Sequence, residues 1–296
     1  MSQAVKPALP FPLRRVPGLW LLLASLLCVS SVQALTVQVL GAAAGSESFV
    51  TALAARLGEP FRVVTDATAE ADMVVALHAG VLPAARAVKK PLLLLLPAAA
   101  SAELRDGETA VYWAPSLTDQ LRLARTIMPG LRRVGLLAGA QDMARVQALR
   151  AAATSPRTEL VVRQVEAGLL VRQVAELAAL TDVLLAPVNS DLFNHDSLKA
   201  VLLAAYRQNR VFIGPSPAYV RAGALASLYA TPETLAADVA EAIREHQRHG
   251  HWPPPSLVSR FDVITNPQVA RALGLSLPDA ASLTRLLQSE EAVSWP

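Results

Sequence analysis

Short apolar runs alternate along this chain with stretches in which apolar residues recur every three or four positions. The runs are "TVQVL" (36–40), "FRVVT" (61–65), "DMVVAL" (72–77), "PLLLLLP" (91–97), "AVYWA" (110–114), "RRVGLLAG" (132–139), "ELVVRQV" (159–165), "DVLLAPV" (182–188), "VFIGPS" (211–216) and "ALASLYA" (224–230). Unbroken apolar runs of this length suit strands buried on both faces, as in parallel sheets. Between them, Met143, Val146, Leu149 and Ala153 share one face of a helix, as do Leu198, Val201, Leu202 and Ala205. The alternation is a βαβαβ series run through twice. It predicts an α/β fold with parallel sheets.

Two such series fit two Rossmann-like lobes better than one very wide sheet. Pro115 bars a helix through Ala114, and Ser116 or Thr118 is placed to cap the helix that follows, so a first crossover is expected at 114–116. Thr231 and Pro232 form an N-cap and first helical position after "YA", starting a helix that runs to about His249 and ends at Gly250. The prolines of "HWPPPS" (251–256) make a stiff, extended connector, because they donate no backbone hydrogen bonds. Three crossovers give a hinge behind a cleft. The expected division is 35–114 plus 231–255 for lobe 1, and 115–230 plus 256–296 for lobe 2.

The amino end carries a separate signal. Lys6, Arg14 and Arg15 precede an apolar run over 18–29, followed by the small-residue segment Ser30-Ser31-Val32-Gln33-Ala34. This is the layout of a secretory signal peptide over 1–34, with cleavage before Leu35. A retained signal anchor fits less well because the run is short for a bilayer span. Lipoprotein processing at Cys28 is disfavoured by Leu27 before it. Removal of the leader takes away the single cysteine, and with it any disulfide, thiol nucleophile or thiolate metal site. It also takes three of the 27 basic residues and none of the 24 acidic ones, which leaves the two signs balanced. No basic surface then argues for nucleic acid. The expected product is an exported, periplasmic protein.

The ordered stretches "QLRLARTIMPGLRRVGLL", "LTDVLLAPVNSDLF", "VFIGPSPAYVRAGALASL" and "NPQVARALGLSLPD" carry a family likeness over roughly 71–279. The chain resembles the exported substrate-binding proteins of ABC transporters with the type I periplasmic-binding-protein fold, in the branch that includes binders of aromatic amino acids. The resemblance implies a bilobed protein that closes on a small solute, amino-acid-like by preference, and presents it to an ABC permease in the inner membrane. It implies no catalysis and no cofactor, and the protein is expected to be a monomer. Before Ala71 the chain is short, and "HAG" (78–80) stands where family members often have a Gly-Thr pair that contacts ligand. That departure motivates an alternative role as a periplasmic sensor or accessory module signalling to a membrane receptor or kinase.

In open parallel sheets, ligands lie beyond the carboxyl ends of the strands. The residues there are Ser46 and Glu47, His78 and Ala79, Pro97 and Ala98, Asn189, Ser190 and Asp191, and Ser216 to Tyr219, with Tyr229 near the hinge. Helix N-termini near Ser48 and Asn194 suit a ligand carboxylate, and Asp191 suits a ligand ammonium. Ser46 and Asn194 equally fit simple helix caps. Tyr219 and Tyr229 suit either stacking on a flat ligand or half-buried packing. His246, His249 and His251 cluster at a helix end, where cationic side chains are favoured, and no carboxylate completes a zinc set. His195 has no partner visible in the sequence. No nucleophile elbow, zinc-protease helix, phosphate-binding loop or dinucleotide fingerprint is present, so no catalytic residue is assigned.

Overall fold

All ten apolar runs form strands in the computed structural model, which describes residues 34–290 apart from 43–44, 67–69, 98–102, 153–157, 166 and 189–191. All but the last residue of the expected leader (1–34) and the expected site residues Ala98, Asn189, Ser190 and Asp191 lie outside the described residues. The first half runs β1 (Leu35–Leu40), α1 (Glu47–Leu57), β2 (Phe61–Val64), β3 (Met73–Ala76), α2 (Leu82–Ala87), β4 (Leu92–Leu96) and β5 (Glu108–Tyr112). The second half runs α3 (Leu117–Ile127), β6 (Arg133–Ala138), α4 (Met143–Ala152), β7 (Glu159–Gln164), α5 (Leu170–Leu180), β8 (Val183–Leu185), α6 (His195–Arg207), β9 (Val211–Gly214), α7 (Pro217–Ala222) and β10 (Ala226–Tyr229). Then follow α8 (Pro232–His249), β11 (Ser256–Leu257), β12 (Asp262–Thr265), α9 (Pro267–Ala272) and α10 (Ala280–Glu290).

Among the described residues the strands form two six-stranded sheets, ordered β11-β5-β4-β3-β1-β2 and β12-β10-β9-β8-β6-β7. The first is parallel throughout. The second is parallel except where β12 runs against β10. Each half therefore repeats one topology, in which the chain runs outward to a second strand, returns past the first, and continues to the other side. The order reverses between β1 and β3 in one sheet and between β6 and β8 in the other. Ligand crevices open at such switch points.

Burial on both faces explains the apolar runs. In β4, Leu93 and Leu95 join the core beneath α1 and α8, while Leu92, Leu94 and Leu96 join a second cluster with Ala85 of α2. In the second sheet, Leu136, Leu185 and Ile213 pack toward α3, and Leu137, Leu184 and Phe212 face α5, α6 and α7.

The chain crosses between the sheets three times. It leaves the first sheet at 113–116, and returns after Tyr229 into α8, which packs on α1. It leaves again at 258–261 on the way to β12. Ser256 and Leu257, placed in the second lobe by the sequence division, pair with Val111 and Tyr112 of β5 in the first sheet. The connector before them is fastened to that sheet: Thr109 donates to the Pro253 carbonyl at 2.8 Å and Trp252 Nε1 to the Gly107 carbonyl at 3.0 Å. No helix among the described residues is long and apolar enough to cross a membrane.

Candidate functional site

The two switch points bring different chemistry to the cleft. In the first sheet, Gly41 follows β1 at φ +85° and His78 follows β3, with its imidazole folded so close over Gly41 that a Cβ there would stand 2.9 Å from Nε2. Ala79 begins a single 3₁₀ turn over 79–81, and both His78 and Ala79 are exposed. Ser46 occupies the N-cap of α1 at φ −93° with no side-chain capping bond, and Glu47 beside it is exposed. Pro97 follows β4 and is half-buried, next to residues outside the described set.

In the second sheet, Gly139 follows β6 and its N–H donates to Oδ2 of Asp142 at 2.9 Å. Asp142 is fully buried, and its Oδ1 lies 3.1 Å from Nη1 of Arg145 at the start of α4. The same Nη1 reaches the carbonyl of Val188, beyond β8, at 3.4 Å. A buried carboxylate thus orients a guanidinium across the switch point.

A crevice of about 70 Å³ lies here, lined by Ser116, Gln120, Arg145, Pro187, Val188 and Leu257 among others. It joins the two halves, because Leu257 belongs to the first sheet and Ser116 to the first crossing. Ser116 caps α3 in a reciprocal box: its Oγ accepts from Asp119 N at 3.0 Å, and Asp119 Oδ2 accepts from Ser116 N at 3.1 Å. Burial pushes the Asp119 carboxyl above the usual carboxylate range, against the lowering effect of its bonds to Ser116 and its attraction to Arg122. Gln120, one residue on, is 1% exposed. Its Nε2 donates to the Ala186 carbonyl at 3.1 Å, and its Oε1 has no hydrogen-bond partner.

The remaining expected residues separate. Ser216 stands at the N-cap of α7 and is half-buried. Tyr219 is only 7% exposed; its ring stacks on Phe212 at 6.4 Å and tilts against Phe193 at 6.3 Å. It is a wall of the second lobe's core, and burial raises its phenol well above the usual range. Tyr229 ends β10 opposite Asp262, half-buried at the second crossing. Asn194 caps α6, its Oδ1 accepting from Ser197 N at 3.0 Å. At the end of α8, His246 packs on Trp252 at 4.2 Å and His249 on His251 at 5.9 Å, while the described residues hold no gathered set of three His, Cys, Asp or Glu groups for a metal ion.

Sequence reasoning missed Gln120, Arg145 and Asp142. Gln120 is the buried amide on the apolar face of α3, and Asp142 and Arg145 are an i,i+3 pair directly after a strand. These are legible signals only once that strand is known to sit at a switch point.

Similarity to solved structures follows this geometry. A substrate-binding protein with adhesive properties from Clostridium difficile, in its ligand-free, open form, superimposes with a TM-score of 0.61 at 17% identity, covering 84% of this chain and 97% of that one. The fold is that of the bilobed periplasmic binding proteins. A conserved domain protein from Vibrio cholerae matches with a TM-score of 0.50 at 15% identity, over 84% of this chain and 97% of its own. An ABC domain from Streptococcus pneumonia in complex with L-Trp matches with a TM-score of 0.50 at 13% identity, over 85% and 97%. No family model and no curated protein sequence matches the chain.

Proposed function

We propose that this chain is an exported solute-binding protein whose two lobes close on a small polar solute, amino-acid-like by preference, and deliver it to an ABC permease in the inner membrane. The observation that carries the reading is the paired topology: two sheets of the same strand order meet through three crossings, with a crevice at the second sheet's switch point lined from both halves. The basic and apolar layout of 1–34 supports export, and the L-Trp bound to the Streptococcus pneumonia neighbour supports an amino-acid-like ligand. Ser46, Glu47, His78, Ala79, Pro97, Ser216 and Tyr229 stand at strand ends or crossings and remain candidates for contact, as do Asn189, Ser190 and Asp191. Tyr219, held in the core, shapes the wall behind them.

A ligand that binds only the folded protein stabilises it by RT ln(1 + [L]/Kd), about 2.7 kcal/mol at a hundredfold excess over Kd. Heating the purified protein with amino acids, nucleosides, sugars and cofactors should raise Tm by several degrees for one class. A flat response to every compound defeats the proposal. A response together with unimpaired uptake of that compound in a deletion strain moves the role to sensing.

A further inference from the structure

A cavity of about 420 Å³ lies on the first lobe between α1 and α8, lined by Arg56, Ala237, Glu241, Arg244, Arg248 and Arg260. Four of these six residues are arginines, supplied by three chain segments: the last turn of α1, the second half of α8 and the third crossing. The cavity stands apart from the crevice at the switch point. Because β1 and β2 run parallel, α1 descends from the carboxyl end of β1 to the amino end of β2, and Arg56 near its foot lies at the end of the lobe remote from the cleft. Arg260 is neutralised, its guanidinium held by Asp238 and, at 2.9 Å, by Glu241. The other three are not. Arg244 donates from Nη2 to the Arg56 carbonyl, and among the described residues no carboxylate lies within ion-pair distance of Arg56, Arg244 or Arg248. Helix dipoles favour cations in the last turns of α1 and α8, which accounts for Arg56 and Arg248 taken singly. It does not account for their convergence with Arg244 on one concavity, in a chain whose basic and acidic residues balance once the leader is set aside.

We propose that this cavity is a second ligand site, for an anion of the phosphate type that carries two or more charges. Each guanidinium presents N–H donors in a planar fork that matches two phosphate oxygens, and charge-assisted bonds of this kind are the stronger hydrogen bonds. Three forks offer more donors than one phosphate group has oxygens. The volume corresponds to about fourteen waters at about 30 Å³ each, so a diphosphate or a row of phosphate groups fills it better than a single orthophosphate. A concave wall of one sign focuses its field and gathers counter-ions. Glu241, the one carboxylate on the lining, is engaged with Arg260. Arg56, Arg244 and Arg248 are exposed, so their contacts are screened by salt and the anion is held reversibly. Two sources present this chemistry: a soluble phosphorylated compound and the head groups of an anionic bilayer. The inference stands whether or not the cleft binds a solute.

The test uses the purified protein in two arms. In one, sodium pyrophosphate and orthophosphate are compared by thermal shift with sodium chloride of equal ionic strength. In the other, vesicles of phosphatidylglycerol and phosphatidylcholine are compared by co-sedimentation with vesicles of phosphatidylcholine alone. The expected result is a rise in Tm, larger for pyrophosphate than for orthophosphate, or selective sedimentation with the anionic vesicles; the first assigns a soluble ligand and the second a bilayer. Replacing Arg56, Arg244 and Arg248 together by Gln should abolish the response, and Arg248→Glu alone should weaken it about 10-fold or more. Arg271→Gln, on α9 beyond the second sheet, should leave it unchanged. All variants carry the same leader, so any attachment through 1–34 is common to them. The Arg248 side chain is exposed and makes no bond among the described residues, so Arg248→Glu decides even where the triple variant fails to fold. Responses no larger than those to chloride and phosphatidylcholine, a preference for orthophosphate, or a response that survives both the triple substitution and Arg248→Glu overturns the inference and leaves the reading of the cleft untouched.

Discussion

At Gly214 there is no space for a side chain: a Cβ would stand 2.3 Å from the Cβ of Tyr219. Glycine there lets α7 lie against the end of β9, which in turn seats Tyr219 between Phe212 and Phe193. Gly214→Ala must push this aromatic group apart, at a cost of about 1–3 kcal/mol. The expected outcome is a lower urea midpoint with unchanged slope. His246 carries a different residue-level consequence. Burial first, and the charge of His251 second, pull its pKa below the ordinary imidazole value, and its Nδ1 has no hydrogen-bond partner. Below about pH 6.5 the unfolded chain takes up this proton more readily than the folded protein, so stability falls as pH falls. Urea midpoints compared at pH 7.5 and 5.5 should show the loss, and His246→Gln should reduce it. An identical pH dependence in the variant would remove His246 as the cause.

At the scale of elements, the capped helices are the most legible features. Around α8, Thr231 Oγ1 accepts from Thr234 N at 3.2 Å and Thr234 Oγ1 accepts from Thr231 N at 2.8 Å. Pro232 opens the helix, and Gly250, at φ +75°, donates to the His246 carbonyl at 2.8 Å. All four signals stand in the sequence as residue types at fixed offsets. Thr231→Ala should cost about 1 kcal/mol, and Gly250→Ala a similar amount from the left-handed backbone; both are checked by denaturant midpoints. The two short strands β11 and β12 are a different case. Ser256 and Leu257 are exposed and follow three prolines, so nothing local marks them as a strand. They pair because Val258 N reaches the Tyr112 carbonyl at the open edge of the first sheet.

For the whole molecule the third crossing is the most restrained by side chains. Asp238 of α8 accepts from Ser259 N and Ser259 Oγ, both at 2.8 Å, and pairs with Arg260, whose other guanidinium nitrogen reaches Glu241 at 2.9 Å. The segment between the sheets is thereby tied to the first lobe. Bonds to a charged group contribute about 1.5–3 kcal/mol, and the partial exposure of Arg260 reduces this to about 1–2 kcal/mol. Asp238→Ala should lower the thermal midpoint by that equivalent and quicken proteolytic cleavage within 258–261. Unchanged cleavage would show that the backbone alone restrains this crossing.

The sequence by itself determined the ten strands of the apolar runs, the amphipathic helices that follow most of them and the caps of α3, α6 and α8, because burial on two faces and capping chemistry are imposed within a few residues. Pro115 and the Thr231-Pro232 start also marked two of the passages between the sheets, whereas nothing local placed Ser256 and Leu257 with the first sheet, where they pair. The tertiary structure alone decided which residues share a crevice. Gln120, Arg145 and Leu257 are far apart in the chain, and they meet only because β6 lies beside β8 while β11 closes the edge of the other sheet. The same packing turned Tyr219 inward. A tyrosine five residues beyond a strand end has the right position for a ligand, but the missing Cβ of Gly214 leaves its ring a better place among Phe193 and Phe212, and that vacancy exists only when three separate segments are packed together.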